Sequence, residues 1–224
     1  MTLSIQIGGP ANLVRVFGIL GNAVGPRTGP GTRTHDEKEW WCLRRYIFTL
    51  SAAGQLEFPI SIRKGERPDF RCEFGPRPVG IEVTEATDAQ DQKATTKLQQ
   101  SGASQALVGS FGGRFPRGGG NPELAWQRDV LEAVRSKSQN LDHYQDPLPE
   151  HVLLLYSNSN AASLIHDAMW PSVFSGCNPM NEQLWKLAPS RLKSIGIICG
   201  PWLVVLRSDR VQTYPLRSGL DENT

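Results

Sequence analysis

Two short runs dominate what this chain can fold into. Asp69-Phe70-Arg71-Cys72-Glu73-Phe74 and Val79–Ala86 both alternate apolar and polar residues, and Gly75-Pro76-Arg77-Pro78 separates them. A period of two gives a strand one apolar face and one polar face, and a Gly/Pro cluster between two such runs marks a hairpin. If the four residues 75–78 form the connection, Phe74 lies opposite Val79, Arg71 opposite Glu82 and Asp69 opposite Thr84. Phe70, Cys72, Phe74, Val79, Ile81 and Val83 then share a core face. Asp69 and Glu82 lie diagonally on the other face, about 7–8 Å apart at Cα.

The remaining elements follow from the same periodicities. Residues 57–63 read as a third strand, making a meander. Residues 34–53 carry Trp40, Leu43, Ile47 and Leu50 at helical spacing behind Thr34, a residue suited to cap a helix. Asn121-Pro122-Glu123 opens a second helix that extends to Tyr144. The continuous apolar run 152–156 predicts a strand buried on both faces. Helices are expected over 160–170 and 181–193, and strands over 195–199, 202–207 and 210–214, with Gly200-Pro201 as a turn. Helix, three strands, helix, strand (αβββαβ) is the order of an α/β domain with a mixed sheet flanked by helices and a C-terminal extension.

Residues 1–33 hold seven Gly, three Pro and three Arg and no acid, which reads as a flexible leader ahead of one domain, 34–224. The polar stretch 87–106 is either a loosely attached helix or a loop. Residues 109–122, with six Gly and two Pro, read as a linker or, through Phe111, Arg114, Phe115 and Arg117, as a loop suited to single strands.

Composition excludes several classes. The 24 Lys+Arg against 22 Asp+Glu leave a net charge of +2, so any polyanion contact has to come from local clustering. Cys42, Cys72, Cys177 and Cys199 form no CxxC pair, which argues against a zinc ribbon or redox dithiol. His35, His143, His151 and His166 have no metal-ligand spacing and read as structural. No apolar stretch approaches the roughly 20 residues of a membrane span. The expectation is a cytoplasmic protein with no membrane partner.

The chemistry resides with the two acids. Carboxylates at that separation suit Mg²⁺ or Mn²⁺, hard ions that take one or two carboxylates and leave positions for phosphate oxygens. Arg67-Pro68-Asp69-Phe70, with twelve residues separating Asp69 from Glu82-Val83-Thr84, resembles the PD-(D/E)XK nuclease superfamily, over roughly residues 34–156. The resemblance implies the restriction-endonuclease-like core, metal-dependent hydrolysis of DNA, and Asp69 and Glu82 as metal-binding acids; DNA is the expected partner and RNA the alternative one. Thr84 stands where the motif has lysine.

Some members of that superfamily carry the lysine on a following helix. Lys137 fits this arrangement, three residues beyond Val134 and four before Leu141 on an apolar helix stripe; Lys93 and Lys97 are rivals nearer in sequence. Gln139 and Tyr144 are spaced one residue wider than the Gln-x-x-x-Tyr helix of the superfamily's exonuclease branch. The first-helix acid of the superfamily matches Glu39, with Glu37 as the alternative. Two other functions fit the same residues: a non-catalytic module of this fold that binds nucleic acid or protein, and an assembly subunit presenting Trp170, Trp185 and Trp202 to a partner.

Overall fold

The computed structural model describes residues 4–21, 34–87, 121–141, 144, 148–157, 162 and 165–217. Eight strands form one mixed sheet in sequence order: β1 (Ser4–Ile7), β2 (Ile60–Lys64), β3 (Phe70–Phe74), β4 (Arg77–Ala86), β5 (Glu150–Ser157), β6 (Leu192–Cys199), β7 (Trp202–Arg207) and β8 (Arg210–Pro215). β1 to β4 pair antiparallel, β4–β5 and β5–β6 pair parallel, and β6 to β8 are again antiparallel. Parallel neighbours require a crossover, and helices occupy both. α1 (Ala11–Gly21) and α2 (His35–Ala52) precede β2, α3 (Pro122–Leu141) lies between β4 and β5, and α4 (Trp170–Ser175) and α5 (Asn178–Leu187) lie between β5 and β6. Among the described residues from α2 to β5 the order is helix, three strands, helix, strand, so the α/β class and mixed sheet read from the sequence are present.

The sheet carries a core on each face. α1 and α2 cover Phe70, Cys72, Ile81, Val83, Val152 and Leu154, whereas α3, α4 and α5 cover Leu153, Leu155, Ile195 and Ile197. β5 alternates between the two cores, which explains its uninterrupted apolar run. α2 begins as its sequence predicts: the Thr34 hydroxyl accepts from the Glu37 N–H at 3.2 Å and the Glu37 carboxylate accepts from the Thr34 N–H at 2.8 Å, a reciprocal cap.

Several expectations need correction. The first concerns residues 1–33, within which 4–21 are not a leader. β1 pairs with β2 through Ile5↔Ile62 and Ile7↔Ile60, and Ile5, Ile7, Leu13 and Phe17 are buried. Glycine content averaged over 33 residues concealed two short apolar patterns that gain their stability by docking on the rest of the fold.

The second is the hairpin register. Phe74 pairs with Arg77 and Phe70 with Ile81, so the loop is the two residues Gly75-Pro76 rather than four. Gly75 has φ 58°, a conformation that a two-residue hairpin loop with glycine in its first position uses. Pro78 falls in the pair that does not exchange hydrogen bonds with β3, and β5 begins pairing only at Val79. Its missing N–H therefore costs no ladder bond. A shift of two residues preserves the faces, so the predicted core set is unchanged while the acids move from diagonal to directly opposite.

The third is the tryptophan surface. Trp170 is buried against Trp126 and Phe174, and Trp185 and Trp202 pack partly buried on the same core. Strand β6 also starts at Leu192, inside the helix expected over 181–193, and Trp170 begins α4 instead of ending a helix over 160–170. No helix among the described residues is long and apolar enough to cross a membrane.

Candidate active site

β4 outlasts its antiparallel neighbour. β3 and β4 pair only as far as Phe70↔Ile81, so the next inward N–H on that edge of β4, that of Val83, has no backbone partner there. Asp69, the residue before β3, supplies one: its Oδ2 accepts from Val83 N–H at 2.7 Å. Extending the register by one residue places Asp69 directly across from Glu82. Both are buried, at 7% and 4% exposure.

Glu82 faces α3, and the α3 lysine meets it there. Lys137 Nζ lies 2.9 Å from Glu82 Oε1. Tyr144, three residues beyond the end of α3, lines the same cleft as Glu82. Glu82 Oε2, in contrast, is buried with no hydrogen-bond partner among the described residues. A buried unpaired carboxylate oxygen is costly, and an oxygen left over beside a second carboxylate is what a divalent cation would complete. The donor set, two hard carboxylates, fits Mg²⁺ or Mn²⁺.

Electrostatics agree with an incomplete site. Burial, and then the nearby Glu82 charge, push the Asp69 carboxyl up to about 6, against the opposing pull of the Val83 N–H and the Lys137 ammonium. Burial and the Glu82 carboxylate likewise hold the Tyr144 hydroxyl well above the usual phenol range. The Lys137 ammonium therefore does not offset burial and the Glu82 charge at Asp69.

The pair opens to solvent through a cleft of about 250 Å³, lined also by Glu66, Arg67, Lys137, Asn140 and Tyr144. A second cleft of about 400 Å³ lies alongside, lined by His35, Lys38, Glu39, Thr84 and Glu85 among others, and Lys137 lines both. Thr84 shares the β4 face of Glu82. Thr84, not lysine, stands at that strand position, and Lys137 of α3 lines the same second cleft.

Glu39 belongs to the second cleft. It is 2% exposed on α2, across the sheet from Lys137. Lys64 pairs with its Oε2 and His35 Nδ1 lies 2.5 Å from its Oε1. The structure therefore gathers Asp69, Glu82 and Lys137 in one cleft and sets Glu39 in the neighbouring one. Glu37 is engaged in the α2 cap, and Lys93, Lys97 and the Gly-rich segment 109–120 lie outside the described residues.

His35, Asp36 and Glu39 themselves form a group whose ligand atoms lie within 4.8 Å of one another and could hold a metal ion. The Lys64 ammonium, also 3.7 Å from Asp36, already neutralises part of that charge. The i, i+4 spacing of His35 and Glu39 on the helix expected from 34–53 is the sign of this group in the sequence, one that histidine-to-histidine spacing alone does not reveal. Arg67 and Tyr144 stand in the motif segment and at the end of the α3 stripe, whereas Asn140 and His151 carry no comparable sign. Their nearness to Glu82 depends on where α3 and β5 dock.

No protein-family model, no curated protein and no solved structure matches this chain.

Proposed function

We propose that this chain is a metal-dependent phosphodiesterase that hydrolyses DNA, a PD-(D/E)XK-type nuclease whose lysine has moved from β4 to α3. The observation that carries the reading is the 2.9 Å approach of Lys137 Nζ to Glu82 Oε1 beside Asp69 in an open cleft. Asp69 and Glu82 Oε2 are the groups that would hold Mg²⁺ or Mn²⁺. Such an ion, when bound, supplies positive charge against a phosphodiester under attack and acidifies water. Asp69 gives up its proton to take part, and Glu82 offers the oxygen that no side chain among the described residues engages. Lys137 is held at the edge of both clefts, so its ammonium can face the charge that builds on phosphate oxygens. Glu39 buttresses the neighbouring wall through Lys64.

The replacement of the strand lysine by Thr84 favours a second reading, a nuclease-fold module that binds nucleic acid or protein without turnover. A Mg²⁺ titration against supercoiled, linear and single-stranded DNA and against RNA separates the two. The nuclease reading requires cleavage that chelator stops and that Asp69→Ala and Glu82→Ala each abolish. Cleavage surviving both substitutions, or nucleic-acid binding indifferent to chelator with no turnover, defeats it.

A further inference from the structure

His151, the second residue of β5, is wholly buried, and neither of its ring nitrogens has a hydrogen-bond partner among the described residues. Its strand partner is Gly80. A methyl group added to Gly80 would stand 2.6 Å from His151 Nδ1, 2.8 Å from Cε1 and 3.0 Å from Pro68 Cγ. The imidazole therefore lies against bare glycine backbone, in a notch whose other wall is Pro68. Tyr144 closes that notch edge-on, its ring centroid 5.9 Å from that of His151 at an interplanar angle of 68°.

Each wall of the notch is tied to an acid of the site. Pro68 immediately precedes Asp69, Gly80 lies two residues before Glu82 on the same strand face, and Tyr144 lines the cleft with Glu82. Burial holds the imidazole below its usual pKa, so a neutral, hydrogen-bond-poor ring fills the space. Such a ring adds desolvation cost without a compensating polar contact. What it contributes is shape.

We infer that His151 is a positioning residue, a flat wedge seated on Gly80 that fixes the spacing of Asp69, Glu82 and Tyr144 and so sets the affinity of the acid pair for a divalent cation. The inference rests on the metal-dependent reading above, and it is tested without relying on cleavage. Mn²⁺ binding to the full chain is measured by calorimetry for the parent, His151→Ala, Gly80→Ala and the double variant, at a temperature where circular dichroism shows each folded. Gly80→Ala attacks the same contact from the other side and keeps the experiment decisive should His151→Ala not fold.

Each single substitution is expected to weaken Mn²⁺ binding about tenfold or more, the range seen when groups supporting metal ligands are removed. The double variant is expected to recover much of that loss, because the new methyl occupies the space the ring has left. Where the parent cleaves DNA, kcat falls with the Mn²⁺ affinity while KM for DNA stays within about twofold. A lowered Tm with unchanged Mn²⁺ affinity overturns the inference, since filling the core would then be the ring's whole role. A parent that binds Mn²⁺ without cleaving any nucleic acid defeats the nuclease reading while the calorimetric comparison still decides the role of His151. A parent that binds no Mn²⁺ overturns both.

Discussion

Lys137 on α3 reaches Glu82 on β4, 55 residues earlier in the chain, with Nζ 2.9 Å from Oε1. The pair is unequal in burial, the lysine side chain being 30% exposed and the glutamate 6%. Its ammonium can thus swing toward the cleft, whereas the carboxylate is fixed.

Replacing Lys137 with methionine keeps the apolar stem and removes the charge. Glu82 then loses its ion-pair partner, and we expect a stability loss of roughly 1–3 kcal/mol in the absence of metal. DNA cleavage under single-turnover conditions should fall about 100-fold or more, while Mn²⁺ affinity holds or improves because a competing cation has gone. A variant that cleaves within twofold of the parent would show that Lys137 serves only to neutralise Glu82.

Asp69 links stability to pH in the direction opposite to most acids. Its folded pKa of about 6 stands above the ordinary 3.8, so the native state holds the proton longer than the unfolded chain. Stability is therefore full below about 3.8 and declines as pH rises through about 6, by at most roughly 3 kcal/mol. Asp69→Asn keeps an acceptor for the Val83 N–H and removes the charge. We expect it to melt above the parent at pH 8 without divalent ions, to match it near pH 3.5, and to be inactive. Equal melting temperatures at pH 8 would contradict the raised pKa.

The same proton competes with metal. Below about pH 6 the Asp69 carboxyl is increasingly neutral, so apparent Mg²⁺ or Mn²⁺ affinity should drop about tenfold per pH unit and level off above it. Calorimetric titrations between pH 5 and 8 check this. A profile flat through that interval would remove Asp69 from the set of ligands.

Gly75 tests the fold apart from the chemistry. Its φ of 58° and the 3.1 Å gap from an added Cβ to Glu57 Oε2 leave no comfortable place for a side chain. Gly75→Ala should cost about 1–2 kcal/mol, or roughly 3–6 °C in Tm, while metal affinity per folded molecule is retained. An unchanged Tm would mean that the hairpin register is set elsewhere.

Local patterns were legible wherever one interaction dominates. The Thr34–Glu37 cap, the α2 and α3 stripes and the alternation of β3 and β4 depend on neighbours a few residues apart, and each element forms close to where its pattern lies. Gly200-Pro201 and Gly75-Pro76 are the same two-residue loop. The first was read correctly, and the second was obscured by Pro78, because sequence does not reveal which strand edge lacks a partner. β1 was missed because four residues alternate too briefly to stand out from a glycine-rich surrounding.

The sequence by itself determined which face of β4 carries Glu82 and which face of α3 carries Lys137, since both follow from the fixed periods of strand and helix. Only the tertiary structure decided that these faces meet, that Asp69 stands directly across from Glu82, and that Glu39 is held by Lys64 in the adjoining cleft. Those outcomes depend on the hairpin register and on how α3 and β5 dock across the sheet. They are set by the packing of side chains far apart in the chain, and no local period encodes that packing.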